Sequence, residues 1–278
     1  MKRIRSLLCV PAHKPALYEK AVRSGADCLM FDLEDSVPPH HKAYALETLV
    51  AYLRSSIGKI VPQVVAVRIN PYTTDAGTLL DAGCRLDVLV VPKITEAREL
   101  MTYEGETATV PLLPVIETPG AIVNLRSILA LPNVLGGIFG VADFAAGMGV
   151  SDRRWGSWID YGPLTNTRFV YAKQKLATYA AAFGKQALDT CFNVRDSSHV
   201  TATWRGSRSF GFTGAACIHP LQVPIANDLF GPGEIERAWA GRIHAQHAAR
   251  LGEVWVDENG LVVGIPVDRQ ARAILKEA

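Results

Sequence analysis

Cysteine is scarce and unpatterned in this chain: Cys9, Cys28, Cys84, Cys191 and Cys217 are scattered with no C-x-x-C spacing. Several sit inside apolar runs, so buried, reduced thiols of a cytosolic protein are expected and a disulfide framework is not. Net charge is almost absent as well, 29 Lys and Arg against 27 Asp and Glu leaving +2. No long basic block occurs, nor one interleaved with aromatic residues, which argues against nucleic acid as a partner. The opening MKRIRSLLCVPAHKP carries only a few apolar residues before Pro11, too few for a signal peptide or a membrane span. No G-x-G-x-x-G opens a helix, so the usual dinucleotide signature is missing too.

What remains is apolar and repetitive. With 278 residues and 49% hydrophobic content, the chain can bury a large core, enough for one large α/β barrel or two modest domains. Apolar runs alternate with helical spacing. Arg5–Val10 precedes a helix at Pro15–Ser24, Cys28–Leu33 precedes one carrying Ala45, Leu49 and Leu53, and Gln63–Ile69 precedes one at Asp75–Ala82. Asp87–Val91, a run ending at Glu117, Val134–Val141, Gln186–Phe192 and Gly214–Ile218 complete eight units. Eight runs apolar enough to be buried on both faces favour a closed (β/α)₈ TIM barrel over an open sheet. Residues 1–230 are expected to form it. Ser151–Gly162 reads as a long functional loop, followed by a helix from Pro163 to Phe183. Residues 231–278, a helix, an Asn259-Gly260 hairpin and a last helix after a Gly264-x-Pro-Val turn, exceed what a barrel needs. They are expected to be a lid extension, packing on this barrel or on a neighbouring subunit.

The centre of the chain is Pro114–Gly149, read as strand, helix at Gly120–Ala130, strand. Parallel neighbours joined by a crossover finish at the same edge, which sets Glu117 and Asp143 side by side at strand ends. Such a pair can hold Mg²⁺ through oxygen ligands; taken singly, each acid is as easily a solvated loop residue or a helix cap. The other strand ends carry Glu34, Asp35, Arg68, Lys93 and His219. Arg68 anchors a carboxylate or a developing oxyanion, or is a solvated partner of Glu34. Glu34 and Asp35 hold water on the metal, pair with Arg68, or are helix-start acids. Lys93 is an ion-pair partner more readily than a Schiff-base lysine, and His219 a hydrogen-bonded structural histidine. His244 and His247 share a helix face but lack a third ligand; His40 and His41 are equally bland.

Arg5-Ser-Leu-Leu-x-Val-Pro11, Phe31-Asp-Leu-Glu-Asp35, Val67-Arg-Ile-Asn70, Val91-Pro-Lys93, Ile116-Glu-Thr-Pro119, Gly140-Val-Ala-Asp143, Gly211-Phe-x-Gly214 and Ile218-His-Pro220, in this order and spacing, resemble the HpcH/HpaI aldolase and citrate lyase β-subunit family, and within it the malyl- and citramalyl-CoA lyases. The resemblance covers nearly the whole chain. It implies a TIM barrel binding Mg²⁺ through Glu117 and Asp143, with Arg68 facing the substrate and Glu34 and Asp35 holding the metal's water. It also implies that Arg5 and Lys14 bind coenzyme A phosphates, and that Asp268, in a lid motif, completes the site of the next subunit of a homo-oligomer, a trimer or hexamer. Two positions depart from the family pattern: Ala215 replaces a lysine and Ala12 a glycine.

The expected reaction is reversible cleavage of a 3-hydroxy-3-carboxyacyl-CoA, such as malyl-CoA or citramalyl-CoA, to acetyl-CoA and a 2-oxo acid, with Asp268 as the acid. The alternatives are a CoA-independent aldolase acting on a free hydroxy-oxo acid, a citrate lyase β-like subunit acting on a carrier-bound acyl group, and a non-catalytic acyl-CoA-binding protein.

Overall fold

The structure, a computed structural model, describes residues 3–55, 63–71, 73–103, 110–149, 169–192, 194 and 196–277. The expected loop Ser151–Gly162 and the start of the helix placed after it lie outside these residues. Two compact units are present, Met1–Asn227 and Asp228–Ala278.

The first is a closed barrel of eight parallel strands: β1 Ser6–Pro11, β2 Cys28–Asp32, β3 Val64–Arg68, β4 Val88–Val91, β5 Leu112–Ile116, β6 Gly136–Phe139, β7 Gln186–Thr190 and β8 Gly214–Cys217, with β8 closing on β1. Its strands are hydrophobic on both faces because both are covered. Alternate side chains, among them Leu7, Cys28, Met30, Ala66, Val88, Val90, Leu113, Val115, Ile138, Leu188 and Ala216, fill the interior. Their neighbours Leu8, Leu29, Phe31, Val65, Val67, Leu89 and Phe139 are likewise buried, on the opposite faces. Each fully buried aliphatic side chain contributes about 1.5–3 kcal/mol relative to exposure.

Two local expectations are corrected. The crossover helix between β5 and β6 breaks at Asn124 into Pro119–Val123 and Leu125–Ala130. Strand β6 stops at Phe139, and Asp143 lies in the first turn of a helix, Val141–Gly147, instead of at the strand's end.

In the second unit, the helix Glu234–Ala249 and the helix Ile265–Glu277 pack around Ala240, Ile243, Val263 and Ala271. Between them β9, Trp255–Val256, pairs antiparallel with β10, Val262–Val263. The hairpin reading holds: Gly260 has φ +81°, and Asp257 Oδ1 accepts the backbone N–H groups of Asn259 and Leu261. Gly264-x-Pro-Val is no free turn, since the last helix already begins at Ile265 and Asp268 sits in its first turn. Among the described residues no helix is long and apolar enough to cross a membrane, and all five cysteines are free.

Candidate active site

Parallel strands deliver their carboxyl ends to one mouth of the barrel, and the polar residues collect there. The hub is Asp32, which the acidic run Leu33-Glu34-Asp35 draws attention away from in the sequence. It is the last residue of β2 and follows Cys28 and Met30 at a period of two, so it faces inward, fully buried. Arg68, inward-facing at the end of β3, grips it with a bidentate fork, Nε to Oδ1 and Nη2 to Oδ2, both 2.6 Å. The N–H groups of Glu34 and Ser36 donate to the same carboxylate at 2.9 and 3.1 Å. Burial pushes the Asp32 carboxyl up, but the Arg68 fork outweighs it and holds the group below its ordinary range.

Arg68 also reaches Glu34, Nη1 to Oε2 at 3.2 Å. Glu34 is 3% exposed, and burial raises its pKa despite Arg68 and Lys93. Lys93 Nζ bridges Glu34 at 2.5 Å and Asp35 at 2.9 Å, and that ammonium holds Asp35 below the usual range against its own desolvation. The ion-pair reading of Lys93 is therefore the right one. Lys42 fastens the acidic turn from below, donating to the carbonyls of Leu33 and Glu34 and to Asn70 Oδ1.

Lys93 has a second role that only the backbone shows. Its φ is +56°, a left-handed conformation costly for a residue with a Cβ, and in it the backbone N–H donates to Glu117 Oε1 at 2.7 Å. Lys93→Gly relieves this strain whereas Lys93→Ala keeps it, and both lose the ammonium. The glycine variant is thus expected to be more stable by about 1–2 kcal/mol, a reversal of the usual order, measurable by denaturant unfolding. An alanine variant as stable as the glycine one would contradict it.

Glu117 follows β5 and is 3% exposed. A Cβ at Gly140, beside it at the end of β6, would lie 2.6 Å from Glu117 Cβ and 2.7 Å from Oε2, so glycine alone fits there. Burial, with the charge of Asp143 added, lifts the Glu117 pKa to about 7, against the opposing pull of the Lys93 N–H and Arg68. Both acids line a cavity of about 410 Å³, together with Arg68 and Asp35. Among the described residues at this mouth, Asp32, Glu34, Asp35, Glu117 and Asp143 outnumber Arg68 and Lys93. A surplus of hard carboxylate oxygens, two of them repelling each other at a partly dry surface, fits a divalent cation with oxygen preference. No group of three or more His, Cys, Asp or Glu that could hold a metal ion is found among the described residues.

A model of the HpcH/HpaI aldolase/citrate lyase family matches residues 5–220. The chain belongs to that family. It is 31% identical to a citrate lyase subunit beta-like protein of Deinococcus radiodurans over 98% of this chain and 96% of that one. It is 30% identical to an L-malyl-CoA/beta-methylmalyl-CoA lyase of Cereibacter sphaeroides, covering 99% and 94%. Among solved structures, CitE of Mycobacterium tuberculosis in complex with magnesium, acetoacetate and coenzyme A superposes with a TM-score of 0.80 at 27% identity, covering 99% of this chain and 98% of that one.

Not every residue implied by the family resemblance meets at this mouth. Lys14 does lie on this side, exposed in the turn after β1. Arg5 does not: it precedes β1, at the amino ends of the strands, and its fork is occupied by Asp27, with Nε and Nη2 both at 2.8 Å. His219 caps the short helical turn after β8, accepting the Leu221 N–H on Nδ1 at 3.2 Å, the structural part expected of it. Asp268, within the second unit, is bonded to His244 Nδ1 at 2.8 Å and Arg272 Nε at 2.7 Å, and the His244 bond foremost holds its carboxyl below the ordinary range. His244 is thus the partner of an acid on another helix.

The family departure at Ala215 leaves the cavity untouched. Ala215 pairs with Asp189 and Ser6 on neighbouring strands and is fully buried, with a parity opposite to the inward Ala216. A cation still reaches Asp189, because Lys173 donates to it at 2.8 Å and Ser207 Oγ at 2.5 Å, all three groups fully buried. Ala12 is fully buried too, its carbonyl accepting the Tyr18 hydroxyl at 2.5 Å.

If Glu117 holds a divalent cation, protons compete with it for the carboxylate. Because its pKa is raised to about 7, the group is ionised and able to hold a cation above that pH and is neutralised below it. Mg²⁺ affinity, measured calorimetrically, is therefore expected to fall about tenfold per pH unit below 7 and to level off above it. A flat profile down to pH 5 would mean that the Glu117 carboxyl is not raised or does not hold the cation.

Proposed function

We propose that this chain is a Mg²⁺-dependent carbon-carbon lyase that reversibly cleaves a 3-hydroxy-3-carboxyacyl-CoA, of malyl-CoA or citramalyl-CoA type, to acetyl-CoA and a 2-oxo acid. The observation that carries the reading is the convergence of Glu117 and Asp143 with the Asp32-held Arg68 in one cavity at the barrel mouth. The malyl-CoA lyase relative, and the CitE neighbour with its magnesium and coenzyme A, support the cofactor and the thioester.

Glu117 and Asp143 would hold Mg²⁺, which when bound supplies Lewis-acid polarisation of substrate oxygens. Arg68, with two nitrogens committed to Asp32, cannot swing away, so its charge stays aimed at the oxygen that turns from hydroxyl into carbonyl. Glu34, held by Arg68 and Lys93, and Asp35, held by Lys93, would orient water beside the cation. Lys14 lies where a CoA phosphate can meet it. As the carbon-carbon bond breaks, its electron pair passes to the departing acetyl-CoA enolate, which must be protonated. Asp268 is the proposed donor; His244 and Arg272, which hold its carboxyl ionised within the second unit, must release it before it can carry that proton. Residues 231–278 act as a lid over a neighbouring chain of a homo-oligomer. Mixed oligomers of Asp268→Ala and Glu117→Gln chains, each inactive alone, should then regain part of the activity; verified mixtures that stay inactive would place the lid on its own chain.

The test is a screen of 2-oxo acids with acetyl-CoA or propionyl-CoA and Mg²⁺, read by mass spectrometry for the condensed thioester. Turnover of a free hydroxy-oxo acid without CoA, and none with it, would replace this reading by the CoA-independent aldolase.

A further inference from the structure

The cavity at the barrel mouth is divided chemically. Its charged residues, Asp35, Arg68, Glu117 and Asp143, come from β2 to the turn after β6. From β7 through β8 to β1 its described lining is Thr190, Phe192, Ala216, Ile218, Cys9 and Pro11, with no charge among them. Even the two polar atoms of that wall are quiet. Thr190 donates its hydroxyl to the Phe139 carbonyl at 2.8 Å, and the Cys9 thiol is pushed up to about 12 by burial and Asp32, so it stays neutral.

Two features make this wall a receptor for an apolar group. Phe192 and Ile218 are large hydrophobic side chains left 51% and 39% exposed at the rim, surface that a bound alkyl chain would cover. Lower down, Ala216 and Cys9 are small, whereas Val115 on β5 and Ile138 on β6 are bulkier, and Met30 stands directly beside Cys9 on β2. β1 stands four strands from β5 around the closed barrel. Cys9 and Ala216 therefore lie across the mouth from Glu117, in the same cavity.

We infer that the site selects a 2-oxo acid with a short alkyl side chain, lodged against Cys9, Ala216 and Ile218, over glyoxylate, whose hydrogen would leave that wall uncovered. The inference rests on the lyase reading and deepens it. The oxo acid is assigned here, and not the acyl group, because the pantetheine arm must leave the cavity while the far end of the oxo acid need not.

The experiment ranks glyoxylate, pyruvate, 2-oxobutanoate and 2-oxopentanoate by kcat/KM with acetyl-CoA and with propionyl-CoA in the presence of Mg²⁺, alongside Mg²⁺-dependent binding of the same acids by calorimetry. Wild type should favour the longer acids, by about tenfold or more for each methylene accommodated. Ala216→Leu should lower the ratio of 2-oxopentanoate to glyoxylate by at least that factor. Because Ala216 packs in the barrel interior, Ile218→Trp at the exposed rim is a second variant that should move the ratio the same way without repacking the core. A wild-type preference for glyoxylate overturns the inference while leaving the lyase reading intact. So does a variant whose ratio changes only between propionyl-CoA and acetyl-CoA, which would place the acyl branch on this wall. If no acid condenses at all, the lyase reading fails, and the calorimetric ranking with its response to Ala216→Leu and Ile218→Trp still decides whether the wall selects alkyl 2-oxo acids.

Discussion

Glu117→Gln and Asp143→Asn are each expected to abolish Mg²⁺ binding and turnover while the protein stays folded. Each change removes a charge from a cation site with few protein ligands, and the loss should exceed the roughly 100-fold seen when a merely supporting contact is deleted. The fold should tolerate both. Glutamine has the shape of Glu117, its carbonyl oxygen can keep the Lys93 N–H bond, and it fits beside Gly140 where bulk cannot be added. The carboxylate it replaces is already disfavoured by burial and by Asp143, which raise its pKa from 4.5 to about 7, so Glu117→Gln should unfold less easily than the parent, by a margin that grows from pH 4.5 to 7 and is level above it. Asp143 is exposed, and its amide has no packing to disturb. Calorimetry for Mg²⁺ and a thermal melt together make the check: normal metal affinity in either variant would remove that residue from the site, and a large fall in melting temperature would make it structural.

Arg68→Lys should cost at least about 100-fold in turnover, the scale of losing one donor to a developing oxyanion, although charge is conserved. The reason is geometric. Arg68 satisfies both oxygens of the fully buried Asp32 and still reaches Glu34, whereas an ammonium is a single point that can neutralise Asp32 or face the substrate but cannot do both. Arg68→Met goes further. It strands the Asp32 charge in the barrel, and breaking a buried pair from one side costs about 3–5 kcal/mol, so the melt as well as the assay should register it. Arg68 and Asp32 are 15% and 0% exposed along their side chains, which leaves little solvent to soften the loss. Near-normal turnover in Arg68→Lys with lowered stability would show that Arg68 only builds the mouth.

Much of this was legible in the chain as a string. Apolar runs of four to six residues separated by helical spacing announce buried parallel strands, because covering both faces of a sheet demands side chains of one character. Counting those runs was enough for the barrel, and the carboxyl-end rule was enough to gather Glu34, Arg68, Lys93, Glu117 and Asp143 at one mouth. Asp32 could have been found the same way. Stepping by two from Cys28 through Met30 reaches it, and the same step leaves Leu33 on the covered side.

Other features had no local sign. Arg5 sits 22 residues from the Asp27 that occupies it, and His244 sits 24 from Asp268, while His247, expected at the surface with it, is buried and stacks on Trp255. The left-handed backbone of Lys93 is imposed by the chain around it, since nothing in Val-Pro-Lys asks for a positive φ. The raised pKa of Glu117 reflects burial, Asp143 and Glu34 prevailing over Lys93 and Arg68, groups that come from or after four different strands. Alternation and helix period arise from forces between residues a few positions apart, so the amino-acid order carries them directly. Ion pairing, strain and desolvation depend on distances of a few ångströms between groups far apart in the chain, and those distances exist only once the eight strands have closed into a barrel and the helices of the second unit have packed on each other.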